Sequence, residues 1–226
     1  YCAMADVAAE AEDAALLRAC ERLWKSVCER RMYVTGGIGP SSQNEGFTCD
    51  YDLPNASAYA ETCAAIGLVF WNHRLLQLEC DGCYADVMER ALYNGAVGGV
   101  SLDGKTFFYV NPLESGGDAH RQPWFSVSCC PQNIARLVAS VGQYVYSESR
   151  SVACVHLYVQ GRGELELGGR KVVIEQKTGY PWKERVTIAV RPQTAAEFTL
   201  ALRIPGWCRA PRAKLCGKSL RLTPLV

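Results

Sequence analysis

Leu16, Cys20, Leu23, Trp24 and Val27 recur at three- and four-residue spacing, one face of an amphipathic helix with Asp13 available near its start. The same periodicity predicts a helix over Ala58–Leu78, through Tyr59, Ile66, Phe70 and Leu75, and another over Tyr84–Val97, through Val87, Met88, Ala91 and Leu92. A fourth helix is predicted from Pro131, carrying Ile134, Leu137, Val138, Val141 and Val145. Proline suits a first helical position because its missing N–H would have no partner there. After Glu148 the period changes. Val152–Gln160, Lys171–Glu175, Arg185–Val190 and Phe198–Ile204 are β-branched or alternating runs, separated by Gly-Gly, Gly-Tyr-Pro and Pro-Gln turn signals. That is the pattern of a β-sandwich. The fold class is therefore mainly α followed by β, with a boundary near Ser147–Ser151 that gives a helical domain over 1–148 and a β domain over 149–226. The last stretch, Leu220–Val226, shows no closing strand, so the sandwich reads as cut short.

Composition narrows the function classes. The chain has 226 residues, 49% hydrophobic and 21% charged, a balance that supports a buried core. With 24 basic and 23 acidic residues the net charge is +1 and no basic stripe is present, which argues against a nucleic-acid partner. No apolar run approaches the ~18–20 residues that span a bilayer, and Tyr1-Cys2-Ala3-Met4-Ala5-Asp6 is no signal peptide, so no membrane partner and a cytoplasmic location are expected. The chain opens without an initiator methionine and inside a helical pattern, so a native start with its own address would lie outside it.

Twelve cysteines are spread through helical and strand-like segments, unlike a secreted disulfide framework. Cys20, Cys28 and Cys154 read as buried small hydrophobes. Cys129 and Cys130 differ, because they stand at the mouth of a helix in Ser128-Cys129-Cys130-Pro131-Gln132-Asn133, where free N–H groups and the helix dipole favour thiolates. A reactive or metal-bound thiolate and a packed or disulfide-linked pair both fit this stretch. Glu61 and Cys63 would complete a Cys₃Glu set for Zn²⁺, although residues two apart on a regular helix face different ways, so they can converge only in a first turn or a distorted segment. Taken alone, Glu61 reads as a solvated helix residue. Cys80-Asp81-Gly82-Cys83 has CxxC spacing and with Cys129 and Cys130 offers a structural Cys₄ alternative. Thr35-Gly36-Gly37-Ile38-Gly39-Pro40 lacks the lysine and serine of a phosphate loop, which leaves a substrate loop with Glu45, Asp50 and Asp52. Carboxylates are the usual equipment of glycoside hydrolysis, but acidic loop residues are more often solvated. His73, His120 and His156 form no metal-binding spacing.

Several stretches in order resemble the β-L-arabinofuranosidases of glycoside hydrolase family 127. They are Tyr33-Val34-Thr35-Gly36-Gly37-Ile38-Gly39, Tyr51-Asp52-Leu53-Pro54-Asn55, Ala60-Glu61-Thr62-Cys63-Ala64-Ala65-Ile66-Gly67, Tyr84–Asn94, Phe108-Tyr109-Val110-Asn111-Pro112-Leu113, Cys129-Cys130-Pro131 and Leu202-Arg203-Ile204-Pro205-Gly206-Trp207. The resemblance implies the second half of an (α/α)₆ barrel followed by the start of a β-sandwich, within a much longer protein. It implies Cys129 as nucleophile, Glu45 as acid/base, and Glu61, Cys63, Cys129 and Cys130 as ligands of Zn²⁺ in a retaining hydrolase of L-arabinofuranosides or related furanosides. The full-length protein is compatible with a homodimer. Gln132 stands where the family often has a second proline, and Asn44-Glu45-Gly46-Phe47 where Gly-Glu-Ala-Phe is common. The upstream barrel half, which in the family contributes sugar-binding side chains, is absent, so the segment alone is expected to expose apolar barrel surface and to be inactive or poorly soluble. The competing readings are an inactive zinc-stabilised carbohydrate-binding or assembly fragment, and a thiol redox protein using Cys80/Cys83 or Cys129/Cys130.

Overall fold

A computed structural model describes residues 1–223; residues 224–226, the end of the Leu220–Val226 stretch, lie outside the described residues. The chain forms two compact units, Tyr1–Val141 and Gly142–Val226.

The first unit is helical. α1 (Cys2–Glu10) is followed by α2 (Ala14–Arg30), whose cap is Asp13: its Oδ1 accepts from Ala15 N at 2.9 Å and Leu16 N at 3.0 Å, satisfying two of the orphan first-turn donors. α2 turns Cys20, Trp24 and Val27 inward, the stripe that its periodicity predicts. α3 (Thr62–Leu78) packs against α1, α4 (Gly82–Arg90) and α5 (Cys129–Ser140), and so buries more than one face, from Ala65 and Ile66 round to Leu75 and Leu76. Asn72 on α3 is buried, and its Oδ1 accepts from Trp24 Nε1 at 2.8 Å, which ties α2 to α3. α4 is capped by Asp81 and runs on into a π-helical turn (Ala91–Ala96) and a short 3₁₀ turn (Val97–Gly99).

Several helix boundaries differ from expectation: the helix expected over Tyr84–Val97 begins at Gly82, and the one expected to carry Val141 and Val145 ends at Ser140. The helix expected over Ala58–Leu78 begins at Thr62, because Tyr59 N and Ala60 N donate to Pro40 O (3.1 Å) and Gly39 O (2.8 Å) instead of to helical carbonyls, and Ala60 has a left-handed φ of +36°. The helix expected from Pro131 begins at Cys129, so Pro131 is its third residue. The N–H of a third helical residue is also an orphan, so proline is accommodated there. The Thr35–Pro40 loop is tight: Gly36, at φ +82°, lies so close to Ala91 that a Cβ on it would stand 2.7 Å from Ala91 Cα.

In the second unit, β1 (Tyr146–Glu148), β2 (Val152–Val155) and β6 (Thr199–Leu202) form one sheet in the order β1-β2-β6, with β2 and β6 parallel. β3 (Gly161–Leu167), β4 (Arg170–Thr178) and β5 (Val186–Pro192) form an antiparallel meander, its first hairpin closed by Gly168 and Gly169 at φ +58° and +79°. A hairpin of β7 (Ala213–Leu215) and β8 (Lys218–Leu220) follows. The two three-stranded sheets share one apolar cluster that includes Ala153 and Val155 from β2, Leu167 from β3, and Val172 and Ile174 from β4. The strand expected over Val152–Gln160 ends at Val155, and β1, β3, β7 and β8 had no counterpart among the expected strands.

Candidate metal centre

The starts of α3 and α5 supply four ligand groups. Glu61 is the N-cap of α3, at φ −57° and ψ 138°, and Cys63 is the second residue of its first turn. Because the cap lies outside the helical path, the two side chains escape the divergence that a two-residue helical spacing would impose. Cys129 and Cys130 are the first two residues of α5. One ligand atom from each of Glu61, Cys63, Cys129 and Cys130 lies within 4.8 Å of all the others, the one such group among the described residues. Cys63 and Cys130 sulfurs are 3.5 Å apart and those of Cys129 and Cys130 3.8 Å, while Glu61 Oε1 is 3.3 Å from Cys129 Sγ and 3.5 Å from Cys130 Sγ.

These spacings decide between chemistries. A disulfide needs about 2.0 Å between sulfurs, so the vicinal pair is not bonded. A tetrahedral ion with sulfurs at about 2.3 Å and an oxygen at about 2.1 Å has sulfur–sulfur edges of about 3.8 Å and sulfur–oxygen edges of about 3.6 Å. The four separations above lie within about 0.3 Å of those edges, and three thiols with one carboxylate are the soft, anionic donors that Zn²⁺ takes, so the residues fit the ion. Neither helix spends a side chain on capping here: Glu61 and Ser128 make no side-chain cap bond, whereas Asp13 and Asp81 do at α2 and α4. The positive ends of two helices are thus left to face thiols and a carboxylate.

The thiols are not equivalent. The hydrogen bond between Cys63 and Cys130 lowers the Cys63 thiol to about 7, with the Asn133 amide and Cys129 helping and burial opposing. Cys130, fully buried, is pushed up by the same bond and by burial. Burial also raises Cys129, with Cys63 and Glu61 adding to the effect and Tyr109 opposing it. Tyr109 Oη is 3.4 Å from Cys129 Sγ, and that bond, followed by burial, raises the phenol.

Glu45 lies outside this group of four. It occupies a tight turn at φ +49°, an uncommon conformation for a non-glycine residue, and Tyr59 Oη donates to its Oε1 at 3.0 Å. Tyr59, raised to about 12 chiefly by burial, has its ring centroid 6.2 Å from that of Tyr109, so two tyrosines lie between Glu45 and Cys129. The other loop carboxylates are occupied: Asp50 is paired with Arg30 at 3.0 Å and Arg31 at 2.7 Å, and Asp52 accepts from Thr48 Oγ1 at 2.6 Å. Cys80 and Cys83 do not join the cluster, since Cys129 and Cys130 are gathered with Glu61 and Cys63 instead. The histidines also stand apart: His156 is buried with Nε2 2.7 Å from Ser147 Oγ, His73 lies on α3 beside Gln77, and His120 is exposed.

Tyr59, Tyr109, Asn111 and Asn133 are the supporting residues that sequence patterns did not single out for the site. Asn111 Nδ2 donates to Ala60 O at 2.8 Å and Thr62 Oγ1 at 3.0 Å, bracing both sides of Glu61. Asn133 Nδ2 donates to Cys63 Sγ at 2.8 Å. Its place four residues after Cys129 was a usable signal, because that spacing shares a helix face.

The donor set is of the cysteine-rich, single-carboxylate metal-site class, built on a helical unit that precedes a β unit. The chain belongs to glycoside hydrolase family 127. Residues 2–143 match the family model for the β-L-arabinofuranosidase GH127 catalytic domain, and residues 152–224 that for its middle domain. A GH127 β-L-arabinofuranosidase from Geobacillus stearothermophilus T6 is 52% identical, with a TM-score of 0.95 over all of this chain and 37% of its own. Another solved GH127 β-arabinofuranosidase is 40% identical, with a TM-score of 0.94 over all of this chain and 38% of its own. A non-reducing end β-L-arabinofuranosidase of Bifidobacterium longum subsp. longum is 42% identical over 213 residues, 87% of this chain and 32% of the relative. The chain thus spans about a third of the length of that curated relative.

Proposed function

We propose that this chain carries the chemical centre of a retaining glycoside hydrolase that removes L-arabinofuranose, or a related furanose, from the end of a carbohydrate. Cys129 is the nucleophile, Glu45 the acid/base, and Glu61, Cys63, Cys129 and Cys130 hold Zn²⁺. The helical unit up to Val141 is then the second half of an (α/α)₆ catalytic barrel, and the β unit that begins at Gly142, ahead of the expected boundary after residue 148, is the start of a β-sandwich. The observation that carries the reading is the gathering of three thiols and a carboxylate, all within 4.8 Å of one another, at two helix N-termini.

In the first step Cys129 Sγ attacks the anomeric carbon as the bond to the leaving oxygen breaks, and Glu45 gives that oxygen its proton. A carbon–sulfur bond now joins sugar and protein. In the second step Glu45 takes a proton from water, the water oxygen attacks the same carbon, and the sulfur leaves with its electron pair. Two inversions restore the starting configuration. Bound Zn²⁺ supplies positive charge that keeps the sulfur anionic at neutral pH and eases its departure. Tyr59 holds the Glu45 carboxylate in place, and the Tyr109 hydroxyl lies 3.4 Å from Cys129 Sγ.

Metal content and turnover of 4-nitrophenyl β-L-arabinofuranoside, measured for the protein and for Cys129→Ser, test the proposal. Zinc together with turnover that Cys129→Ser abolishes supports it, and absence of zinc from the unmodified protein overturns it. Zinc without turnover favours the second reading, an inactive zinc-stabilised carbohydrate-binding or assembly segment. The observation on the side of that reading is that the chain spans about a third of its curated relative.

A further inference from the structure

Asn133 lies four residues after Cys129 and three after Cys130 on α5, so it shares their face of the helix. From there its Nδ2 reaches across to Cys63 Sγ on α3, 2.8 Å away. An amide presents two ends of opposite polarity. Only its N–H end favours a sulfur anion, since the oxygen would repel the charge. The neighbouring Gln132 carries the same functional group but is turned to Ser128 Oγ at 3.1 Å, so the contact belongs to position 133.

Of the sulfurs, Cys63 is one that no step of the proposed reaction displaces. A donor held against it takes up part of its charge and fixes its place, which suits a permanent ligand and leaves Cys129 as the sulfur that attacks. Groups one shell out from a metal commonly set its affinity in this way. We propose that Asn133 is a positioning residue that holds Cys63 Sγ as a fixed anionic ligand and thereby raises the affinity of the centre for Zn²⁺. The inference rests on the metal-site reading given above.

The test compares the unmodified protein with Asn133→Ala and with Asn133→Leu, which keeps the shape and removes the donor. Zn²⁺ affinity is read by competition with a chromophoric chelator, and Co²⁺ replaces zinc as a spectroscopic probe. Both variants are expected to bind Zn²⁺ roughly 10–100-fold more weakly. Their thiolate-to-Co²⁺ charge-transfer band moves to longer wavelength, because a sulfur stripped of its hydrogen bond gives up an electron more readily, and the metal-free proteins melt together. Unchanged affinity and an unmoved band in a folded variant overturn the role of Asn133 alone. Failure of the unmodified protein to bind either ion overturns the metal reading, and this inference with it.

Discussion

Truncating Asn111 to alanine should loosen the start of α3. The Asn111 amide donates to Ala60 O and Thr62 Oγ1, and Ala60 is 2% exposed, so its carbonyl loses this donor where water has little access. Thr62 keeps its own bond to Phe108 O at 2.9 Å, which leaves the Ala60 carbonyl as the main orphan. An unsatisfied buried acceptor costs ~1–3 kcal/mol, and the middle of that range, about 2 kcal/mol, is the expected loss of stability. Each kcal/mol corresponds to roughly 2–4 °C in a chain of this size, so the midpoint should fall by about 4–8 °C. The assay is thermal unfolding of the metal-free protein in chelator, followed by circular dichroism. Glu61 sits between the two braced residues, so Zn²⁺ affinity falls as well. A variant that melts within about 1 °C of the parent and binds zinc equally would show that the first turn of α3 does not depend on this brace.

Gly36→Ala combines a left-handed φ of +82° with a Cβ 2.7 Å from the Ala91 backbone, and should cost about 2–4 kcal/mol in urea unfolding; a loss under about 0.5 kcal/mol refutes the close approach. In the metal-free protein, iodoacetamide at pH 7 should label Cys63 ahead of Cys129 and Cys130, with the rate rising through about 7, the value to which Cys63 is lowered. The sign for stability follows: a thiol lowered from 9.0 contributes fully above its unfolded value, and the contribution is lost as pH falls through about 7. Labelling of Cys129 first would contradict this order.

What the sequence discloses is mostly local. Asp13 ahead of an apolar stripe locates α2, and Gly168-Gly169 marks the β3–β4 hairpin because both residues need positive φ. The start of α3 differs from expectation because Tyr59 continues the apolar rhythm, while the bonds that keep Tyr59 and Ala60 out of the helix come from Pro40 and Gly39. β3 escaped notice because Gly161 and Gly163 dilute its alternation. Gly163 is there for a reason of packing, since a Cβ on it would come within 2.6 Å of the Tyr146 ring. In the site, the Cys129–Cys130 pair is legible from its position before a helix. The partnerships of Tyr109 with Cys129, of Asn111 with Ala60, and of Asn133 with Cys63 join residues 20, 51 and 70 apart, and no local pattern encodes them.

The unspent caps of α3 and α5 have a further consequence for the resting protein. A side-chain cap is worth ~1 kcal/mol to its helix, so both first turns begin with that much less to hold them closed. Their leading amides should therefore trade hydrogen for deuterium sooner than those of α2 and α4, and should slow when an ion draws the sulfurs together. Ligand capture and the firming of two helix starts without side-chain caps become a single event, so the exchange rate of a few backbone protons reports occupancy without any substrate present.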